Sequence, residues 1–381
     1  MFETKRCRSW LLMLCGLVVT MAVPDVSQAM PAFARANKVP CTTCHVQFPK
    51  LNDFGMAFKQ NGYRMEGKKG EFVWTKDNLP LASVATITYE TVDTGADETA
   101  TVDRRALEVF SGGSLGPEIS YFFDFGFSSD QLTTSPGGDT VDVTTAAPGG
   151  TFLILNNLLP DNLANLRVGV MSNEFFYLSV PRRTTLSDYK APVSVDHTGI
   201  ELNGIAKGNL RYAVGFGNDE MVGVTDVTNN MRGGFGWATY NVAGQTVGAR
   251  FIAAKAGAAK SADETHTQWD VNADLHLGPA NLAVGYYMQD NVAGVQDDKQ
   301  TNLLAEVVYP LTPKVLLTGR YEAQDTETGG AEVAGTDQIL VVNTSLFLLP
   351  NVNLQAEFST ADNEESATEE NRFILGFRVG I

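Results

Sequence analysis

From about residue 79 to the last residue, apolar and polar side chains alternate with a period of two, in segments of roughly ten residues parted by turn signals. The final segment puts Phe373, Leu375, Phe377, Val379 and Ile381 on one face and Gly376, Arg378 and Gly380 on the other. A second sets Trp269, Val271, Ala273, Leu275 and Leu277 against Gln268, Asp270, Asn272, Asp274 and His276. A third sets Val352, Leu354, Ala356 and Phe358 against Asn353, Gln355 and Glu357. Faces this polar need water, whereas a small soluble barrel or sandwich fills its interior with apolar side chains. Apolar outside and wet inside is the pattern of a barrel in a bilayer.

The connections point the same way. Short turns near residues 115–117, 160–162, 207–208, 243–244, 278–279, 312–313 and 350–351 alternate with longer loops such as 128–149, 218–231, 290–299, 324–336 and 360–370. Outer-membrane barrels alternate short periplasmic turns with long extracellular loops in this way. The predicted fold is therefore mainly β, a transmembrane antiparallel β-barrel of about 16 strands over residues 79–381, with both ends of the chain on the periplasmic side. A soluble β-sandwich or propeller is the competing reading, because period-two patterning is a weak signal strand by strand.

Before the barrel the pattern changes. Lys5, Arg6 and Arg8 precede an apolar run over residues 10–23, and Ser27-Gln28-Ala29 offers small residues to a signal peptidase. Residues 1–29 are thus expected to be a secretory signal, with the mature chain starting near Met30. Cleavage would remove Cys7 and Cys15 and leave Cys41 and Cys44, which gives no disulfide framework.

Those two cysteines stand in Cys41-Thr42-Thr43-Cys44-His45, the attachment pattern of a c-type haem. Thiols three residues apart can add to the two vinyl groups of one haem, and the adjacent histidine then falls under the iron as its proximal ligand. A thioredoxin-like pair would want a βαβ context and a structural zinc site a second ligand pair, and neither lies nearby. Residues 30–78 are expected to form a small helical segment carrying one covalent haem c on Cys41, Cys44 and His45. Leu51, Phe54 and Phe58 recur at helical spacing and predict a short amphipathic helix between Pro49 and Gly62. Met56, Met65 and the inward-pointing His276 are candidate distal ligands, each with a plain packing or lumen role as its alternative.

Composition narrows the partners. The chain has 381 residues, 44% of them hydrophobic, and a net charge of −16, so no basic field exists to bind nucleic acid. Acid gathers in the expected outer loops, at Asp93, Asp97 and Glu98, at Asp325, Glu327 and Glu332, and at Asp362, Glu364, Glu365, Glu369 and Glu370. Clustered carboxylates either collect divalent cations loosely or serve as a solvated face. No nucleophile–base constellation or phosphate-binding glycine loop points to hydrolysis.

Pro31-Ala32-Phe33-Ala34-Arg35, the haem motif, Pro49, Leu51-Asn52, Phe54-Gly55, Phe58 and Asn61-Gly62-Tyr63 together resemble the start of the fused monohaem cytochrome c–porin family, which includes outer-membrane iron oxidases. The resemblance runs over residues 31–64; the barrel is similar in architecture. It implies one haem enclosed by a barrel set in outer-membrane lipid. Electrons would be taken from extracellular Fe(II) and passed to a periplasmic c-type cytochrome. Two other expectations stand beside it: outward electron transfer to an external acceptor, and a porin for small solutes with a haem-bearing plug.

Overall fold

The computed structural model describes residues 32–75, 79–95, 97–103, 107–133, 140–172, 178–206, 209–218, 231–255, 264–332, 335–349, 351–363 and 368–380. The expected signal peptide, its cleavage point and Pro31 lie outside them, as do the turn at 207–208, residues 219–230, Glu364, Glu365 and Ile381.

Two short helices, α1 (Ala32–Asn37) and α2 (Asp53–Gln60), flank a two-stranded hairpin of β1 (His45–Gln47) and β2 (Lys50–Leu51). The wall then begins with β3 (Leu81–Asp93), β4 (Glu98–Asp103), β5 (Leu107–Ser114), β6 (Ile119–Thr133), β7 (Thr140–Leu159), β8 (Ala164–Ser172), β9 (Asp196–Ala206), β10 (Leu210–Asn218) and β11 (Met231–Val242). It continues through β12 (Gln245–Lys255), β13 (Thr265–Leu277), β14 (Ala280–Asp290), β15 (Lys299–Thr312), β16 (Val315–Thr328), β17 (Ala331–Glu332), β18 (Asp337–Leu349), β19 (Val352–Asn363) and β20 (Thr368–Gly380).

Successive strands pair antiparallel, and β20 closes on β3 in a register that sets Phe377 opposite Ile87. Because β4 and β5 share the length of β3, and β17 and β18 that of β16, the closed ring has 16 strands. Closure removes the free sheet edges that a bilayer would leave without hydrogen-bond partners. The period-two faces fall as expected: Trp269, Val271, Leu354, Phe358, Leu375 and Phe377 are exposed, while Gln268, Asp270, Asn272, Asn353, Gln355 and Glu357 are buried in the lumen. Buried ion pairs Arg250–Asp270 (3.0 Å), Arg320–Glu322 (3.0 Å) and Arg167–Glu201 (2.7 Å) line that interior.

Several expected boundaries move. Residues 128–149 are largely strand, since β6 runs to Thr133 and β7 starts at Thr140; the β-branched run Thr140-Val141-Asp142-Val143-Thr144-Thr145 favours extended backbone and prolongs the hairpin. For the same reason β16 extends to Thr328, and β3 and β4 are joined by residues 94–97 alone, so Asp93 and Glu98 sit on strand ends rather than in a long loop. The expected helix is shorter than Pro49 to Gly62, because Pro49 ends the β1 turn and Asn52 caps α2.

The barrel is filled from both ends. From the short-turn end, the segment 32–75 enters as a plug: Arg64 donates to Pro117 O (3.3 Å) and Asn162 Oδ1 (2.9 Å), and Gln60 donates to Gly204 O (2.9 Å) and Tyr212 O (3.1 Å). At the same end Asn241 donates to Asp53 Oδ2 (2.8 Å). From the long-loop end, residues 178–195 between β8 and β9 turn inward. Lys190 N and Ala191 N both donate to Glu322 Oε2 (2.8 Å each), Leu186 N donates to Glu357 Oε2 (2.5 Å), and Arg320 donates to Asp188 O (2.7 Å). Among the described residues no helix is long and apolar enough to cross a membrane.

Candidate haem cavity in the barrel lumen

Plug and inward loop meet at one wall residue. Glu306 of β15 accepts from Lys50 Nζ at 3.4 Å and from Tyr189 OH at 2.9 Å, so a carboxylate of the wall holds the tip of the β1–β2 hairpin and the loop together. Lys50 and Glu306 are each 1% exposed. Burial, with Glu306 next in effect, pushes the Tyr189 hydroxyl well above its ordinary pKa, so it stays protonated as the donor.

The Cys41–His45 motif is shaped by local bonds. Residues Cys41–Thr43 form a single 3-10 turn, and Asn52 fastens it to the helix that follows. Its Nδ2 donates to Thr42 O (3.3 Å) and Thr43 O (3.1 Å), its backbone N–H to Cys44 O (3.0 Å), and its Oδ1 caps α2 by accepting from Gly55 N (2.9 Å). Gly55 lets the helix start lie directly on the motif, because a Cβ there would be driven into the Cys44 carbonyl oxygen. Gly62, at φ +64, plays the matching part between plug and wall, where a Cβ would meet Asn156 Oδ1.

His45 follows on β1, and its Nδ1 is bonded to Pro49 O at 3.1 Å. A backbone carbonyl at that position holds the proton on Nδ1 and leaves the Nε2 lone pair for a metal. Burial pushes the imidazole pKa down to about 4, against the pull of the Pro49 bond and with help from the charge of Arg182, so the ring is neutral at physiological pH. Cys44 is half-buried, and the side chain of Cys41 lies outside the described residues.

Cys44 and His45 border a cavity of about 1200 Å³ lined by plug, inward loop and wall. Met65 borders it too, as do Phe33, Phe58, Tyr63 and Met171 of an aromatic-rich cluster. In that cluster Phe33 stacks on Tyr63 at 4.8 Å and Tyr63 on Phe122 at 5.7 Å. The cavity also follows the inner face of β3 and β20, past Thr86, Glu90, Arg378 and Arg372, as far as Thr368 at the long-loop end. It is larger than the ~300–1,000 Å³ usual for small-molecule pockets.

The three candidate distal ligands separate. Met65 lines the cavity. Met56 is 6% exposed and packed among Ala213, Phe235, Trp237 and Ile252 on the other side of α2, away from the cavity lining. His276 is exposed near the short-turn end of β13, with Nε2 3.5 Å from Asp274 Oδ2, and does not line the cavity. His197 and His266 stand near the long-loop ends of β9 and β13, both buried toward the lumen.

Sequence reading did not single out Lys59, Arg167, Arg182 or Tyr189, all of which line the cavity. Arg182-Arg183 was the available signal, a basic pair in the stretch between two strands.

The family model described as Gram-negative porin matches residues 196–329, a range that begins at β9 and ends just after β16. No curated protein sequence matches the chain. Among solved structures, the anion-selective porin from Comamonas acidovorans is similar, at 12% identity and a TM-score of 0.58, covering 79% of this chain and 98% of that one. Salmonella typhi OmpF in complex with daunomycin gives 12% identity and a TM-score of 0.58 over 79% and 97%. A loop-deletion mutant of Vibrio cholerae OmpT gives 14% identity and a TM-score of 0.52 over 79% and 98%. The wall is thus a β-barrel of the Gram-negative outer-membrane porin fold.

Proposed function

We propose that this barrel carries one covalently attached haem c inside its lumen and conducts electrons, rather than solutes, across the outer membrane. The observation behind the reading is that Cys44, His45 and Met65 border one cavity within a porin-type lumen filled from both ends. The residues fit the group. His45 has its Nδ1 held by Pro49 O and its Nε2 left for iron, Cys41 and Cys44 stand at the spacing for two thioethers, and Met65 is the distal candidate on the same cavity.

When bound, the haem supplies a one-electron site that accepts an electron from extracellular Fe(II) and yields it to a periplasmic c-type cytochrome. The chain's own residues do the rest. Asn52 and Gly55 hold the attachment turn against α2, the Phe33–Tyr63–Phe122 stack excludes water from one side, and the inward loop roofs the cavity. The short-turn end, where the plug enters, is the periplasmic end by the rule that long loops face outward. The cavity's extension along β3 and β20 gives a small donor a route from the outer end toward the plug.

A second reading is favoured by the porin match and the porin-fold neighbours: a porin for small solutes whose plug restricts passage. One experiment separates the two. The solubilised protein is assayed for a pyridine haemochrome, then oxidised and mixed anaerobically with Fe(II), with dithionite as the full-reduction control. A c-type haem reduced promptly by Fe(II) supports inward electron transfer. Reduction by dithionite alone removes Fe(II) and favours outward transfer. A protein without haem, conducting ions in a planar bilayer, is the plugged porin.

A further inference from the structure

Of the cationic side chains that line the cavity, Lys59 of α2, Arg167 of β8 and Arg182 of the inward loop come from three separate elements. Nothing in the attachment chemistry of Cys41, Cys44 and His45 uses them. Arg167 is 8% exposed, with its guanidinium 4.9 Å over the Phe152 ring, and it pairs with Glu201 at 2.7 Å. Its Nε is nevertheless buried without a hydrogen-bond partner among the described residues. Cations drawn together out of water repel one another and lose hydration, so they are stable there when an anion answers them. Glu201 and Asp196 answer part of this charge, yet burial still pushes Lys59 well below its ordinary pKa, and the charges of Arg182 and Arg167 push it further.

Building on the haem reading above, we infer that Arg167, Arg182 and Lys59 receive the two propionate carboxylates of the haem, which makes the inward loop part of the haem site as well as a constriction. Carboxylates are the anionic groups a haem carries, and a planar guanidinium suits them better than an ammonium. The loop then has a reason to descend to the plug: Arg182 closes the haem's acidic edge, while Tyr189 locks the loop to Glu306.

The test uses the full-length protein in detergent, with Arg182→Gln, Arg182→Lys, Lys59→Gln, the paired Arg167→Gln/Glu201→Gln, and Lys68→Gln on the exposed plug surface as control. Haem content is measured first, and barrel folding is checked by heat-modifiable gel mobility. The midpoint potential is then titrated as a function of pH. The expected result is a lower potential in the first and third variants, because a lost cation favours Fe(III); the fourth removes a cation and an anion together and should shift mainly the pH profile. With it, the pH-dependent part of the curve moves upward, because a propionate deprived of its cation holds its proton longer. Arg182→Lys and Lys68→Gln should stay close to the unmodified protein. If the potentials and their pH profiles do not move in variants that hold haem, the inference is overturned. A wild-type chain that binds no haem overturns instead the reading on which it rests. Should Arg182→Gln fail to fold, Lys59→Gln still decides the matter.

Discussion

The Lys50–Glu306 pair is the sharpest place to test whether the plug is seated by its contacts with the wall. The two groups are 3.4 Å apart, buried, and 256 residues apart in the chain, so the bond exists only when the plug is home. Lys50→Met leaves Glu306 charged and buried with Tyr189 OH as its one remaining donor of the two. Breaking a buried pair by removing one partner costs roughly 3–5 kcal/mol. At about 1.4 kcal/mol per tenfold, that moves the seated-to-unseated ratio by about two to three and a half orders of magnitude. The retained tyrosine bond favours the lower end of the range. Single-channel recording in planar bilayers reads the shift directly: the unmodified barrel should reside in a low-conductance state, and Lys50→Met should show long openings. Glu306→Gln alone should open it similarly, because it leaves the lysine unpaired. Lys50→Met combined with Glu306→Gln should close it again, since neither member of the pair is left charged and the glutamine still accepts from Tyr189. A double variant as open as either single one would refute the argument, as would singles no more open than the parent.

Other consequences follow from the same geometry. Gly55→Ala drives a methyl group into the Cys44 carbonyl, an overpacking cost of about 1–3 kcal/mol, and should lower covalent haem per folded barrel while heat-modifiable mobility stays unchanged. Asn52→Ala removes both the α2 cap and the ties to Thr42 and Thr43, at a cost of about 1–2 kcal/mol; it should make the plug more sensitive to protease, with Asn52→Asp intermediate because it keeps only the cap. In a Cys41→Ser/Cys44→Ser variant without attached haem, plug seating should weaken as pH falls below 6.5 and level off near 4. The seated His45 is pushed down to about 4 by burial, so the unseated plug binds the proton first. Seating should not change with pH above 6.5 on this account, and His45→Gln should flatten the profile; protease access to the plug across the pH range measures both.

The wall was legible in the sequence because its signal is local. Every second residue faces lipid or water, and a run such as residues 268–277 declares both faces within a few residues of itself. The Cys41–His45 motif stands out for a similar reason, because its two thiols and its imidazole fall within five consecutive residues. Even the turns showed themselves through Gly, Pro and Asn at the short-turn end, while outer hairpins ran longer than expected because β-branched residues continue a strand beyond the bilayer without any change of period. What joins plug, loop and wall was not legible. Met56 and Met65 flank one helix and read alike in sequence, yet the turn of α2 sends Met56 into the packing beside Trp237 while Met65 borders the cavity. His276 shares its face of β13 with Asp270 and Asp274, but it stands exposed at the short-turn end of the strand and off the cavity lining. Nothing in residues 178–195 announced that they would fold into the barrel, since the groups that draw them in, Glu306, Glu322 and Glu357, lie more than 100 positions away. The sequence by itself determined the barrel and its two faces, both governed by neighbours along the chain; the meeting at Glu306 and the cationic lining of the cavity were decided by tertiary structure, because their energies arise only when distant segments share one lumen.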